Sequence, residues 1–169
     1  NDALAAARGE FVAIMDADDI SAPNRLERQI AFLDANDKVG LVGCAVYDNI
    51  DDTNAVLSTS YLPHDNETIQ QTIMERWCFL HSSIMFRKAL LGTTGGYPKA
   101  VEPVGDHEMG LRLLEHCPAP NLRERLVSYR VNPKRLTVTG HRHARGLADA
   151  ANPIARRPRR GRPEALKRG

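Results

Sequence analysis

No apolar run in this 169-residue sequence approaches the roughly 18 residues that a membrane-spanning helix needs. The first residues also lack the basic-then-apolar pattern of a secretion signal, so the chain is expected to be soluble and cytoplasmic. Cysteine is sparse. Cys44, Cys78 and Cys117 are odd in number and far apart, which excludes a disulfide framework and zinc-type pair spacing and suits small core residues in a reducing compartment. No internal repeat is present. A general excess of basic charge is absent too. The formal net charge of +2 conceals a split, because the segment from Asn152 to Gly169 carries seven basic residues against Glu164, a net +6, which leaves −4 for the remainder. The part able to fold is mildly acidic and offers no electrostatic argument for specific nucleic-acid binding.

What is there reads as alternating α and β elements. Asn1 to Gly9 is alanine-rich and helical, with Gly9 suited to a C-cap. Phe11 to Met15 is a continuous apolar run, the pattern of a strand buried on both faces in a parallel sheet. Ser21 and Pro23 can open a helix that places Leu26, Ile30 and Leu33 inward and Arg25, Glu27 and Arg28 outward. Val39 to Tyr47 is a second buried strand, followed by a polar turn over Asp48 to Asn54 and a short strand near Ala55 to Ser60. Helix is expected over Asp65 to Trp77, strand over Ser82 to Phe86, and a helical turn over Lys88 to Leu91. A loop follows at Gly95-Gly96-Tyr97-Pro98. A third amphipathic helix spans Asp106 to His116 with Met109 and Leu113 inward, and Leu126 to Val131 is the last strand. Periodicity fades from Asn132, and the Arg/Pro/Gly composition beyond Asn152 cannot support a packed core.

The most chemical feature is Asp16-Ala17-Asp18-Asp19, directly after an apolar run. Carboxylates at the carboxyl edge of an open α/β sheet stand where such sheets bind ligands. Three acids this close repel one another, and a divalent cation bridging to a diphosphate would relieve the repulsion and stabilise the diphosphate as it leaves. The same aspartates could instead cap a helix or occupy a turn. A calcium loop is excluded by Ile20 at the fifth position, Ser21 in place of the sharp-turn glycine, and Pro23.

Several motifs in order resemble the family 2 glycosyltransferases. Ala6-Ala7-Arg8-Gly9-Glu10-Phe11-Val12-Ala13 with Met15-Asp16-Ala17-Asp18-Asp19 is similar to the family's acidic segment, and Pro23-Asn24-Arg25-Leu26-Glu27-Arg28-Gln29 continues it. Val39-Gly40-Leu41-Val42-Gly43, His81-Ser82-Ser83-Ile84-Met85-Phe86-Arg87, Gly95-Gly96-Tyr97 and the stretch from Asp106 to Leu113 extend the likeness, which reaches to about Thr139. The resemblance implies an α/β GT-A fold, a Rossmann-like mixed sheet flanked by helices, with residues 1–139 forming the C-terminal part of that domain without its first strands. It also implies inverting sugar transfer from a nucleotide-diphosphate donor, with a UDP-sugar favoured, to a glycan or lipid-linked acceptor. Cell-surface polysaccharide synthesis is the family's usual setting. Asp16, Asp18 and Asp19 would contact the nucleotide sugar, Asp18 and Asp16 would hold Mn2+ or Mg2+, and Asp106 would be the general base. His81 and Glu108 would lie on the acceptor side. A first-turn acid such as Asp106 also suits the helix amides and dipole.

Three positions depart from the family pattern. Gly105 stands where a glutamate is usual and Gly110 where a bulky aromatic is, each glycine costing about 1 kcal/mol relative to alanine inside a helix. Asn132 stands where a histidine is common, with His141 and His143 out of register. Elements that cradle the nucleoside base in the family do not precede Asn1, so this stretch alone is expected to bind nucleotide sugar weakly. Residues 140–169 are expected to be a disordered basic tail, also suited to peripheral contact with anionic lipid at the inner face of the membrane. Two other readings stay open, a non-catalytic remnant of the same fold and a polyanion-binding protein working through that tail.

Overall fold

The computed structural model describes residues 1–98 and 105–131. The expectations for Asn132, His141, His143 and the basic tail fall outside them. Among the described residues no helix is long and apolar enough to cross a membrane.

The chain opens with α1 (Asp2–Ala6), β1 (Phe11–Ala13), β2 (Ile20–Ser21) and α2 (Arg25–Asp34). The long strand β3 (Leu41–Ile50) turns into β4 (Val56–Tyr61), and α3 (Asn66–Thr72) follows. A 3-10 turn at His81–Ser83 leads into β5 (Met85–Arg87), and α4 (Leu91–Thr94), α5 (Gly105–Leu114) and β6 (Asn121–Arg130) complete the fold. All six strands join one mixed sheet in the order β1-β5-β3-β6-β2, with β4 on β3. β3 is shared by two regions. Its first residues, Leu41 and Val42, pair antiparallel with β5, while its remainder runs parallel to β6 and antiparallel to β4.

Two sequence expectations change here. β1 is not a parallel strand buried on both faces. It pairs antiparallel with β5, and only Val12 of its three residues is buried, because its partner enters from the opposite direction after a long excursion. The acidic segment therefore follows an antiparallel strand; among the described residues only β3 and β6 pair in parallel. Helix α1 also ends at Ala6 with an extended Ala7, so Gly9 does not cap it; the Ala7 carbonyl instead accepts from Lys88 Nζ.

The second change concerns α2, whose inward face is Arg25, Gln29 and Leu33, with Leu26 51% exposed and Ile30 37%. Arg25 Nη2 donates to the Ile14 carbonyl at 2.8 Å and to the Ile84 carbonyl at 3.3 Å, and Nε donates to Gln29 Oε1 at 2.9 Å. Gln29 Nε2 in turn donates to the Ser83 carbonyl at 2.7 Å. These carbonyls lie just beyond the Ala13–Met85 rung where the β1–β5 ladder ends. A buried carbonyl left unpaired costs about 1–3 kcal/mol, comparable with the gain from turning a leucine inward, and α2 serves two of them, at Ile14 and Ser83.

The apolar core lies between α3, α5 and the sheet, and contains Val12, Leu41, Ile69, Phe79, Phe86, Met109 and Leu113. Helix α5 keeps its expected inward residues, and Gly105 opens the helix rather than interrupting it. Gly110 is buried against the indole of Trp77, and a Cβ there would collide with Trp77 Cη2. The aromatic bulk missing from α5 thus comes from Trp77, which packs 5.4 Å from Phe79 and 5.0 Å from His107 between ring centroids.

Candidate active site

The segment between β1 and β2 is a turn, and its three acids take different directions. Asp19 is buried, and both its oxygens are engaged inside the chain: Ser82 Oγ donates to Oδ2, and the Arg130 amide donates to Oδ1 at 2.9 Å. Asp19 therefore fastens the turn to the 3-10 turn before β5 and to the end of β6. Asp16 is 40% exposed, and its Oδ1 lies 3.7 Å from His81 Nδ1. Asp18 is half-buried, and its carbonyl accepts from Arg130 Nε at 2.8 Å. The Arg130 guanidinium reaches on to the Asp51 carbonyl and to Asn54 Oδ1 at 2.6 Å. One side chain thus joins the acidic turn to the β3–β4 hairpin, where Asn54 has φ 70°, a left-handed conformation that asparagine tolerates better than most residues.

His81 meets Tyr97, whose hydroxyl shares a hydrogen bond with Nε2 at 3.0 Å. Tyr97 is held from its backbone: its amide donates to Asn1 Oδ1 at 2.8 Å, and its carbonyl accepts from Asn1 Nδ2 at 2.8 Å. Gly95 takes φ 70°, and a side chain on Gly96 would collide with Asn1 Oδ1, so the double glycine lets the loop turn and approach α1. From α5, Arg112 Nη2 donates to the Gly96 carbonyl at 2.6 Å. Burial pushes the Tyr97 phenol up to about 12, with Asp106 and then Asp16 adding to the effect, so the tyrosine lies within the field of both carboxylates.

Asp106 lies in the first turn of α5, half-buried, and its Oδ1 accepts from the His107 amide at 2.8 Å. The structure thus gathers Asp16, His81 and Tyr97 from three separate segments, with Asp106 near enough for its charge to act on Tyr97. Glu108 is directed elsewhere. Its carboxylate pairs with Arg112 at 2.8 Å, and through that arginine it supports the Gly95–Tyr97 loop. Tyr97, Ser82 and Arg130 were not marked as site residues by sequence reasoning. The one local signal was the pair of glycines before Tyr97.

Among the described residues no group of three His, Cys, Asp or Glu side chains could hold a metal by itself. The oxygen donors of Asp16 and Asp18 still fit a Mg2+-like ion, which is commonly held by one or two carboxylates and completed by water and substrate phosphates.

Comparison with known proteins bears on the family and the fold. Residues 1–93 match the family described as Glycosyl transferase family 2. The O-antigen biosynthesis glycosyltransferase WbnJ of Escherichia coli is 31% identical over 79% of the chain, which covers 52% of that protein. The amylovoran biosynthesis glycosyltransferase AmsE of Erwinia amylovora is 32% identical over 70% of the chain, covering 44% of it. The chain thus spans about half the length of these relatives. Among solved structures, S. aureus TarS in complex with UDP-GlcNAc aligns with TM-score 0.60 and 19% identity, covering 80% of this chain and 38% of that one. The mannosyltransferase PcManGT of Pyrobaculum calidifontis in complex with GDP-Man and Mn2+ aligns with TM-score 0.60 and 20% identity, covering 94% and 43%. Those two likenesses establish a shared GT-A fold. From the matched motifs, the site they build and these relatives together, the chain belongs to glycosyl transferase family 2.

Proposed function

We propose that this chain is part of an inverting glycosyltransferase that moves a sugar from a nucleotide-diphosphate donor to an acceptor hydroxyl in surface polysaccharide synthesis. The observation that carries the proposal is the meeting of Asp16, His81 and Tyr97, with Asp106 near enough to act on Tyr97, in a chain of this family. The names of WbnJ and AmsE support the polysaccharide setting. The UDP-GlcNAc and GDP-Man complexes of the two structural neighbours support a nucleotide-sugar donor, for which a UDP-sugar is our choice.

Asp106 takes the proton of the attacking acceptor hydroxyl. The acceptor oxygen bonds to the anomeric carbon as the bond from that carbon to the diphosphate oxygen breaks on the opposite face, which inverts the configuration. The base must come within hydrogen-bond reach of the hydroxyl, and Asp106, in the first turn of α5, is near enough for its charge to act on Tyr97. Asp18 and Asp16 would hold Mn2+ or Mg2+, which when bound neutralises charge on the departing diphosphate. Asp19 keeps the turn that carries them in place. The acceptor is a glycan or lipid-linked sugar approaching from the side of His81. The basic residues of 140–169 would hold the protein against anionic lipid at the cytoplasmic face.

The test is calorimetric titration of UDP with Mn2+ into the full-length protein, beside a sugar-transfer assay. Asp18→Ala is expected to lose metal-dependent UDP binding. Asp106→Asn is expected to bind as the wild type does and to lose about 100- to 10,000-fold in turnover, the usual worth of a general base. Wild-type turnover in Asp106→Asn would remove it from that role.

A further inference from the structure

We propose that Tyr97 is a positioning residue for the donor side of the site: its hydroxyl fixes the ring of His81, which stands against Asp16 where a nucleotide diphosphate and its cation would bind. The proposal deepens the donor-site reading above and rests on it.

Three chain segments supply the relay. Tyr97 Oη lies 3.0 Å from His81 Nε2, and the opposite ring nitrogen, Nδ1, lies 3.7 Å from Asp16 Oδ1. A neutral imidazole has one donor nitrogen and one acceptor nitrogen. When Nε2 accepts the tyrosine proton, the ring proton of the neutral imidazole sits on Nδ1, the nitrogen nearest Asp16, across a gap longer than a hydrogen bond. The edge-on packing of the two rings, with centroids 5.9 Å apart and planes at 77°, suits an in-plane bond to Nε2. The phenol stays protonated near neutral pH, since burial and the neighbouring acids push it up to about 12. It is therefore a donor throughout the working range.

The anchoring of Tyr97 is what makes it a positioning group rather than a surface tyrosine. Its amide and carbonyl are both taken by the side chain of Asn1. The preceding carbonyl is taken by Arg112, which is itself fixed by Glu108. The phenol thus projects from a loop tied both to α1 and to the helix that carries Asp106. Partners that orient a ligating side chain are commonly worth about 10- to 100-fold in metal affinity or activity.

Histidine-15N spectra of the full-length protein test the relay without any need for turnover. In the wild type, the His81 signal is expected to report Nε2 engaged by the Tyr97 hydroxyl. Tyr97→Phe keeps the ring and removes the bond, and the His81 signal is expected to move towards the Nε2-protonated form. Affinity for UDP with Mn2+, and for GDP with Mn2+, is expected to fall about tenfold in the same variant with its thermal midpoint unchanged. An unchanged His81 spectrum in Tyr97→Phe overturns the proposal. So does unchanged Mn2+–nucleotide affinity when Asp18→Ala abolishes binding; the donor site then stands and Tyr97 does not position it. If Asp18→Ala binds like the wild type, or the wild type binds neither nucleotide, the donor-site reading falls, and the spectrum alone decides whether Tyr97 orients His81.

Discussion

Helices α2 and α5 are both ten residues long and both lie against the sheet, yet they bury opposite chemistries. α2 turns Arg25 and Gln29 inward and leaves Leu26 and Ile30 exposed, while α5 buries Met109, Leu111, Leu113 and Leu114 around the indole of Trp77. The sheet dictates the difference. Under α5 it presents side chains such as Val12, Leu41 and Phe86, which gain from apolar cover. Under α2 it presents the carbonyls of Ile14 and Ser83, left over where β1 and β5 stop pairing, and only donors can satisfy those. The acidic turn starts at that frayed end of the ladder. The helix that looks less well packed therefore holds the start of the acidic turn.

The comparison breaks most visibly at Arg25. Burial lowers the pKa of its guanidinium, so the group has costs of its own, but Arg25→Met strands the Ile14 carbonyl and Gln29 Oε1. A loss of about 3 kcal/mol is expected in urea unfolding. Leu26→Lys, on the exposed face, is expected to stay within about 0.5 kcal/mol. The reverse ranking would return α2 to an ordinary amphipathic orientation.

A smaller effect sharpens the α5 side. Alanine for glycine inside a helix normally gains about 1 kcal/mol, but at Gly110 the new methyl meets Trp77. Gly110→Ala is expected to cost about 1–3 kcal/mol through overpacking, read from the same unfolding curves. A gain in stability would show that Trp77 has room to move away.

The smallest effect is a dependence on pH. Burial beside Trp77 holds His107 below the usual histidine range, against a weaker upward pull from Asp106 and from the Ile73 carbonyl. Below about pH 6.5, the ordinary histidine value, the unfolded chain binds a proton that the folded chain resists. Stability is therefore complete above that pH and declines as pH falls through it towards the lower folded value. Unfolding midpoints measured on either side of that pH should differ in the wild type and draw together in His107→Gln. An equal slope in both proteins would assign the dependence to other groups.

The sequence made the element order legible, because apolar runs, Asp65 before α3 and the spacing of Met109 and Leu113 are local signals. Besides the local misses at Gly9 and at β2, its errors were tertiary. Leu26, Ile30 and Leu33 form a stripe as regular as Arg25, Gln29 and Leu33, and only carbonyls some sixty positions away decide between them. The run from Phe11 to Met15 carries no mark of its partner's direction, so an antiparallel edge was taken for a parallel interior. At the site, the acids were visible as composition. The inward turn of Asp19 depends on Ser82 and Arg130, and the bridge through Tyr97 depends on His81, so neither could be seen in any one segment.

The reach of Arg130 has a consequence for exchanging parts between family members. Its guanidinium and amide fix Asp18, Asp19, Asp51 and Asn54 together, so the β3–β4 hairpin and the acidic turn behave as one graft unit. A hairpin transplanted from a relative must bring an oxygen acceptor at position 54 in a left-handed backbone. A hairpin of another length would shift the aspartates although it touches none of them directly.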